Sequence, residues 1–109
     1  MEPLELEYEH LLLRLDRGVF EVFSYPCAEG ADFRVPVRWL AVSLEYRKPD
    51  RGRIHFGTMR GPTALLYGAA SDALSFHYRP ALVIPSAHER LFGDYFTAVA
   101  RVAGRSVRV

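Results

Sequence analysis

Four basic side chains crowd one short stretch of this 109-residue chain, "RKPDRGR", which runs from residue 47 to residue 53. They are Arg47, Lys48, Arg51 and Arg53. Cations in this density hold a phosphate or carboxylate through charge-assisted hydrogen bonds, and arginine does so with two parallel bonds. The stretch therefore predicts an anion-binding turn. Asp50, in the middle of the stretch, favours the alternative interpretation. In that case the charged residues form an exposed hairpin tip and serve only to keep it soluble.

Two histidines suggest a second kind of chemistry. His55 and His77 each fall between inward-facing apolar residues of an alternating strand, so both imidazoles face outward. If the two strands pair in register, the rings could bind a divalent metal or act as a pH-sensitive pair. The sequence offers no third ligand beside them and none of the common catalytic motifs. We therefore expect no metal, no cofactor and no catalysis, and keep a small enzyme or metal binder as the alternative.

Charge is balanced overall but unevenly distributed. The formal net charge is +1, yet residues 1–31 hold seven acidic and two basic side chains, whereas residues 32–109 hold six acidic and twelve basic ones. This asymmetry indicates either an anionic partner for the basic part or two oppositely charged elements that pack together. Aromatic and basic residues do not interleave on one strand face, so we expect no nucleic-acid binding.

Cysteine usage and the start of the chain bear on its location. Cys27 is the single cysteine, which excludes an internal disulfide and is typical of a reducing compartment. The opening "MEPLELEYE" has neither the basic nor the apolar region of a secretory signal, and no apolar run is long enough to span a membrane. All but one of the basic residues are arginine, a bias typical of GC-rich bacterial genes. We expect a bacterial cytoplasmic protein.

Period-two alternation dominates the first two thirds of the chain. Leu4, Leu6 and Tyr8 alternate with glutamates, and the apolar phase then slips near His10, which predicts one long strand with a bend. The "DRG" at residues 16–18 predicts a hairpin.

In "FRVPVRWLAVSLEYR", residues 33–47, the apolar phase changes at Arg38 and Trp39. Pro36 cannot donate to a ladder, so we expect a turn or bulge there that swings the chain into a new strand.

The remaining pieces complete a predominantly β domain that ends in a helix. We count about seven strands between residues 4 and 84, at the spacing of all-β barrels and sandwiches. Ser86 and Glu89 have the spacing of a capping box, and apolar residues then recur at helical spacing to residue 103. Gly104 ends the helix, and a tail follows over residues 104–109. The tail alternates, so it could add a strand to the edge of its own sheet or of a neighbouring molecule.

This layout resembles the pleckstrin-homology (PH) superfold. The segments that carry the resemblance are "RVPVRWLAVSL" and "ALVIPSAHERLFGDYFTAVARVAG". The resemblance implies a seven-stranded antiparallel barrel or sandwich capped by one C-terminal helix, on a scaffold that hosts lipid-headgroup, peptide and protein binding. Members that bind lipid usually place the phosphate site in the first hairpin, where this chain has only Arg17. The basic turn at residues 47–53 departs from that pattern.

The sequence thus predicts one domain over residues 1–109, acting as a non-catalytic binding or assembly module. Its expected partner is a protein or an anionic lipid headgroup, and self-association is left open. Trp39, Leu40, Phe92 and Phe96 are expected to be structural residues, and the four cations at residues 47–53 form the candidate site.

Overall fold

A computed structural model describes residues 3–24, 30–59, 65–68, 74–76 and 81–107. The first of its two sheets is an antiparallel meander of four strands in chain order. These strands are β1 (Leu4–Tyr8), β2 (Leu11–Asp16), β3 (Val19–Ser24) and β4 (Phe33–Pro36).

The second sheet has five strands, with β5 and β6 as a central hairpin. A two-residue strand pairs with β5 in parallel, and two short strands pair antiparallel with different parts of β6. The five are β5 (Leu40–Lys48), β6 (Arg51–Met59), β7 (Tyr67–Gly68), β8 (Leu74–Phe76) and β9 (Leu82–Pro85).

The mainly β architecture with one C-terminal helix is confirmed, and of the expected barrel or sandwich the structure has the two-sheet form. The expectation of seven antiparallel strands is corrected, since β7 pairs with β5 in parallel and the strand count differs. The described residues form more than seven strands, and these strands lie in two separate sheets instead of a closed barrel. One cause lies at Glu9 and His10. The expected bend is a two-residue turn, with Glu9 at a φ of 52°, that pairs Tyr8 with Leu11 and divides the expected long strand into β1 and β2.

The phase change in residues 33–47 marks the passage from one sheet to the other. Val37–Trp39 form a single 3-10 turn between β4 and β5, as the proline and the phase shift predict. Phe33 and Val35 are buried before the turn, and Leu40 and Val42 are buried after it. Trp39 does not belong to the core: 49 % of its surface is exposed, with the Arg38 guanidinium 5.0 Å from its ring centroid.

The helix begins and ends close to the predicted positions. Ser86–His88 form a 3-10 turn that continues into α1 (Glu89–Ala103). The capping box is wrong, because His88 occupies the N-cap position and no side chain caps the helix there. At the other end Gly104 adopts the left-handed conformation at a φ of 65°, which glycine accepts without a Cβ clash.

An aromatic cluster joins both sheets to the helix. Phe20 of β3, Phe56 of β6 and Phe96 of α1 are fully buried, and their ring centroids lie 6.0–6.3 Å apart. Phe92 and Leu40 are also fully buried, as predicted. Full burial of one such side chain contributes about 1.5–3 kcal/mol to stability. The cluster therefore fixes how the two sheets and α1 lie against one another.

The C-terminal tail adds to the chain's own sheet. The Ser106 carbonyl accepts the Leu66 N–H at 2.9 Å, and Val107 bridges to Tyr67 in parallel. Arg105 reaches the corner before β5 and donates to the carbonyls of Val37, at 3.0 Å, and Leu40. The tail thus extends the β7 edge and ties the end of α1 to the corner between the sheets.

Ion pairs lie on the outer face of the first sheet, and one of them joins the acidic first part of the chain to its basic remainder. Glu5 lies 3.6 Å from Arg14 on β2, and Glu21 lies 3.8 Å from Arg34 on β4. These positions are in register across all four strands, so acidic and basic side chains alternate across the sheet. None of the helices in the described part of the chain is long and apolar enough to cross a membrane.

Candidate functional site: a basic cleft at the tip of the β5–β6 hairpin

A β-bulge brings the basic residues of the hairpin together. Tyr46 pairs with Gly52, but the next pair is Lys48 with Arg51, so Arg47 is an extra residue on β5. In a regular strand, neighbours such as Arg47 and Lys48 would point to opposite faces. A bulge kinks the strand locally and changes the direction of its side chains. The bulge therefore allows both residues to line the same cleft.

The cleft has a volume of about 220 Å³. Its lining consists of the four predicted cations and one apolar side chain: Arg47, Lys48, Arg51, Arg53 and Val83. The structure therefore brings all four sequence-predicted residues into one concave site. The turn itself, Pro49 and Asp50, lies outside the lining.

Strand β9 and the turn after it hold the hairpin in place. Pro85 pairs with Arg51 and Val83 pairs with Arg53, so β9 runs beside the basic end of β6. The Ser86 N–H donates to the Asp50 carbonyl at 2.8 Å, which fixes the turn itself. Val83 is 48 % exposed and presents an apolar wall to the cleft. The cleft is thus held by backbone hydrogen bonds on both sides of β6.

Tyr46 connects the same hairpin to the helix. Its ring lies over Gly52, where a Cβ would be 3.2 Å from the ring and 2.7 Å from a methyl group of Leu44. Its hydroxyl bonds the Glu89 carboxylate in the first turn of α1. Burial raises the pKa of Tyr46, and the Glu89 charge raises it further. Gly52 is therefore the residue that gives the Tyr46 ring room to bridge hairpin and helix.

Two carboxylates share the hairpin with the four cations. Glu45 accepts a hydrogen bond from the Arg47 Nε at 3.1 Å, and Asp50 lies 3.9 Å from the Arg51 Nε. Within the described part of the chain, neither Lys48 nor Arg53 is in an ion pair. Four positive and two negative side chains give residues 45–53 a net charge of +2. The cleft therefore has an uncompensated positive charge that an anion would neutralise.

The histidines do not form a comparable site in the residues described. His55 lies on the face of β6 opposite to Ile54 and Phe56, but it is half-buried and pairs with the fully buried Ser43, so it is less exposed than the alternation predicts. His77 lies outside the described residues, as does Cys27. His88 instead accepts or donates a hydrogen bond at 2.8 Å to the Tyr8 hydroxyl. Across residues 3–24, 30–59, 65–68, 74–76 and 81–107, no three His, Cys, Asp or Glu side chains are arranged to hold a metal ion.

Sequence reasoning missed three residues that shape the cleft. The sequence could have predicted that Val83 faces outward, because in an extended strand it points away from the face that Leu82 and Ile84 share. The sequence gives no comparable indication for Glu45 or Tyr46. The role of Glu45 depends on the bulge, and that of Tyr46 depends on Glu89, which is distant in the sequence. No family model, curated protein or solved structure matches this chain.

Proposed function

We propose that this chain is a non-catalytic module that binds a phosphate-bearing anion in the basic cleft. The observation that carries the proposal is the convergence of Arg47, Lys48, Arg51 and Arg53 on one cleft of about 220 Å³. Charge-assisted hydrogen bonds are about twice as strong as neutral ones, and guanidinium groups match the geometry of phosphate oxygens. A phosphate group thus fits both the charge and the donor set.

The arrangement of two sheets and a C-terminal helix supports a PH-like assignment, which remains part of the proposal. PH-like scaffolds bind ligands of several kinds, so the fold does not select the ligand. Here the binding site is placed on the β5–β6 hairpin, where the cations are, and not on the first hairpin. The expected setting of the module is a bacterial cytoplasm.

The test compares two kinds of phosphate ligand, a lipid headgroup in a membrane and a soluble anion. Flotation would use vesicles of phosphatidylcholine alone and of phosphatidylcholine mixed with phosphatidic acid, at low and physiological salt. Calorimetric titration with pyrophosphate would provide the soluble arm. We expect binding in at least one phosphate arm and none to phosphatidylcholine alone, with affinity that falls as salt rises.

Two charge-matched variants locate the site. Arg51→Glu with Arg53→Glu removes two cations from the cleft and should weaken binding at least tenfold, or about 1.4 kcal/mol. Arg38→Glu with Arg101→Glu changes the net charge by the same amount. Both of these residues are exposed; Arg38 lies just before β5 and Arg101 lies in the last turn of α1, and neither lines the cleft. Equal losses in the two variants would refute the cleft as the site.

An acidic peptide would meet the same cations. Failure of both phosphate arms, together with cleft-dependent binding of a poly-glutamate peptide, would replace the phosphate ligand with a protein partner. Failure of all three probes would refute anion binding.

A further inference from the structure

Glu45 occupies an unusual place at the cleft. It lies two residues before Arg47, the bulged residue of β5. Its carboxylate accepts from the Arg47 Nε at 3.1 Å, and its backbone pairs directly with Arg53. One of the four cations that line the cleft is therefore bonded to a carboxylate of the same hairpin.

The second carboxylate of the hairpin is held much less closely. Asp50 is 3.9 Å from Arg51, beyond hydrogen-bond distance, and its side chain is 72 % exposed. The Glu45 side chain is 39 % exposed and makes a true hydrogen bond. Of these two carboxylates, Glu45 is thus the one that occupies a guanidinium nitrogen of the cleft.

We propose that Glu45 is an internal competitor of the ligand, which weakens the contribution of Arg47 to binding. The inference rests on the proposed function. An anion that entered the cleft would meet Lys48, Arg51, Arg53 and the terminal nitrogens of Arg47. The Arg47 Nε stays bonded to the Glu45 carboxylate, so an anion could gain that donor only by displacing the carboxylate. Glu45 therefore sets the affinity of the cleft through one neighbouring residue, without contacting the ligand.

The proposal predicts a specific non-additivity. Exposed ion pairs are worth up to about 1 kcal/mol, so Glu45→Gln should tighten pyrophosphate binding by up to about fivefold. Arg47→Gln alone should weaken pyrophosphate binding, but by less than it does in the Glu45→Gln background, because the Glu45 carboxylate offsets part of the Arg47 charge in the native protein. In the Glu45→Gln background the same Arg47 substitution should remove the whole gain. The coupling between the two positions is the quantity to measure.

The experiment is a double-mutant cycle followed by calorimetric titration with pyrophosphate, at fixed salt. Glu21→Gln is the matched control, because Glu21 is also paired with an arginine, Arg34 at 3.8 Å, but on the first sheet. That control should leave the affinity unchanged. Thermal unfolding of each variant would establish that all of them are folded.

Each outcome decides between the two proposals. If the native chain binds pyrophosphate but Glu45→Gln does not tighten binding, the internal competition is refuted and the cleft remains. If the gain persists in the Arg47→Gln background, Glu45 acts through general charge and the proposal is equally refuted. If the native chain binds neither pyrophosphate nor phosphatidic acid vesicles, the phosphate site and the internal competition are both refuted.

Discussion

Arg105 is the residue whose removal should affect the fold most directly. Gly104 turns the chain at the end of α1, and the Arg105 N–H then bonds the Ala100 carbonyl at 2.9 Å. This places the guanidinium against the corner between the sheets, where it donates to the carbonyls of Val37 and Leu40. Its second terminal nitrogen lies 3.4 Å from the Met59 sulfur. Partial burial lowers the pKa of Arg105.

Arg105→Ala removes two charge-assisted hydrogen bonds and leaves two carbonyls without these donors. Each bond to a charged donor contributes about 1.5–3 kcal/mol, and desolvation of the cation offsets part of the sum. We expect a loss of about 3 kcal/mol in the free energy of unfolding. For a domain of this size that corresponds to a fall in Tm of about 15 °C.

The assay is urea denaturation followed by the fluorescence of Trp39, which lies in the corner itself, and by circular dichroism. Arg101→Ala is the control, because Arg101 is an exposed arginine in the last turn of α1, four residues before Arg105. It should change stability by less than about 0.5 kcal/mol. If Arg105→Ala were no more destabilising than Arg101→Ala, the guanidinium would not hold the corner, and the tail would be a surface feature.

Two further substitutions test local packing and titration. Gly52→Ala should cost about 1–3 kcal/mol and weaken anion binding, because its methyl group would displace the Leu44 side chain and the Tyr46 ring. Gly30→Ala, with open space around it, should be neutral, and equal effects on urea denaturation would contradict the packing argument. Burial raises the pKa of Tyr67 from 10 to about 12, so the stability it contributes is present below pH 10 and lost as pH rises towards 12. Tyr67→Phe should therefore lose less stability over that range, and an equal loss would exclude Tyr67 as the titrating group.

The separate elements were largely predictable from local patterns. Period-two alternation located β1, β5 and β6, and helical spacing located α1. Each of these elements buries one face, so its apolar residues recur at the period of the strand or helix. Pro36 and the phase shift located the corner for the same reason. The phase shift located a bend near His10 but did not reveal that the chain reverses there, since glutamate is not a residue type that favours the positive φ that Glu9 adopts. The exposure of Trp39 was missed because a large aromatic residue is usually buried.

The candidate site likewise has features that the sequence predicts and features that only the tertiary structure reveals. Four cations within seven residues must lie close together in any structure, so the sequence by itself determined their proximity and charge. Their convergence on one cleft needed the bulge at Arg47, which no local pattern marks. The wall at Val83, the bond from Ser86 to Asp50 and the contact of Tyr46 with Glu89 join residues 30 or more positions apart. Only tertiary structure decides such contacts, because they depend on how β9 and α1 pack against the hairpin and not on preferences within either segment.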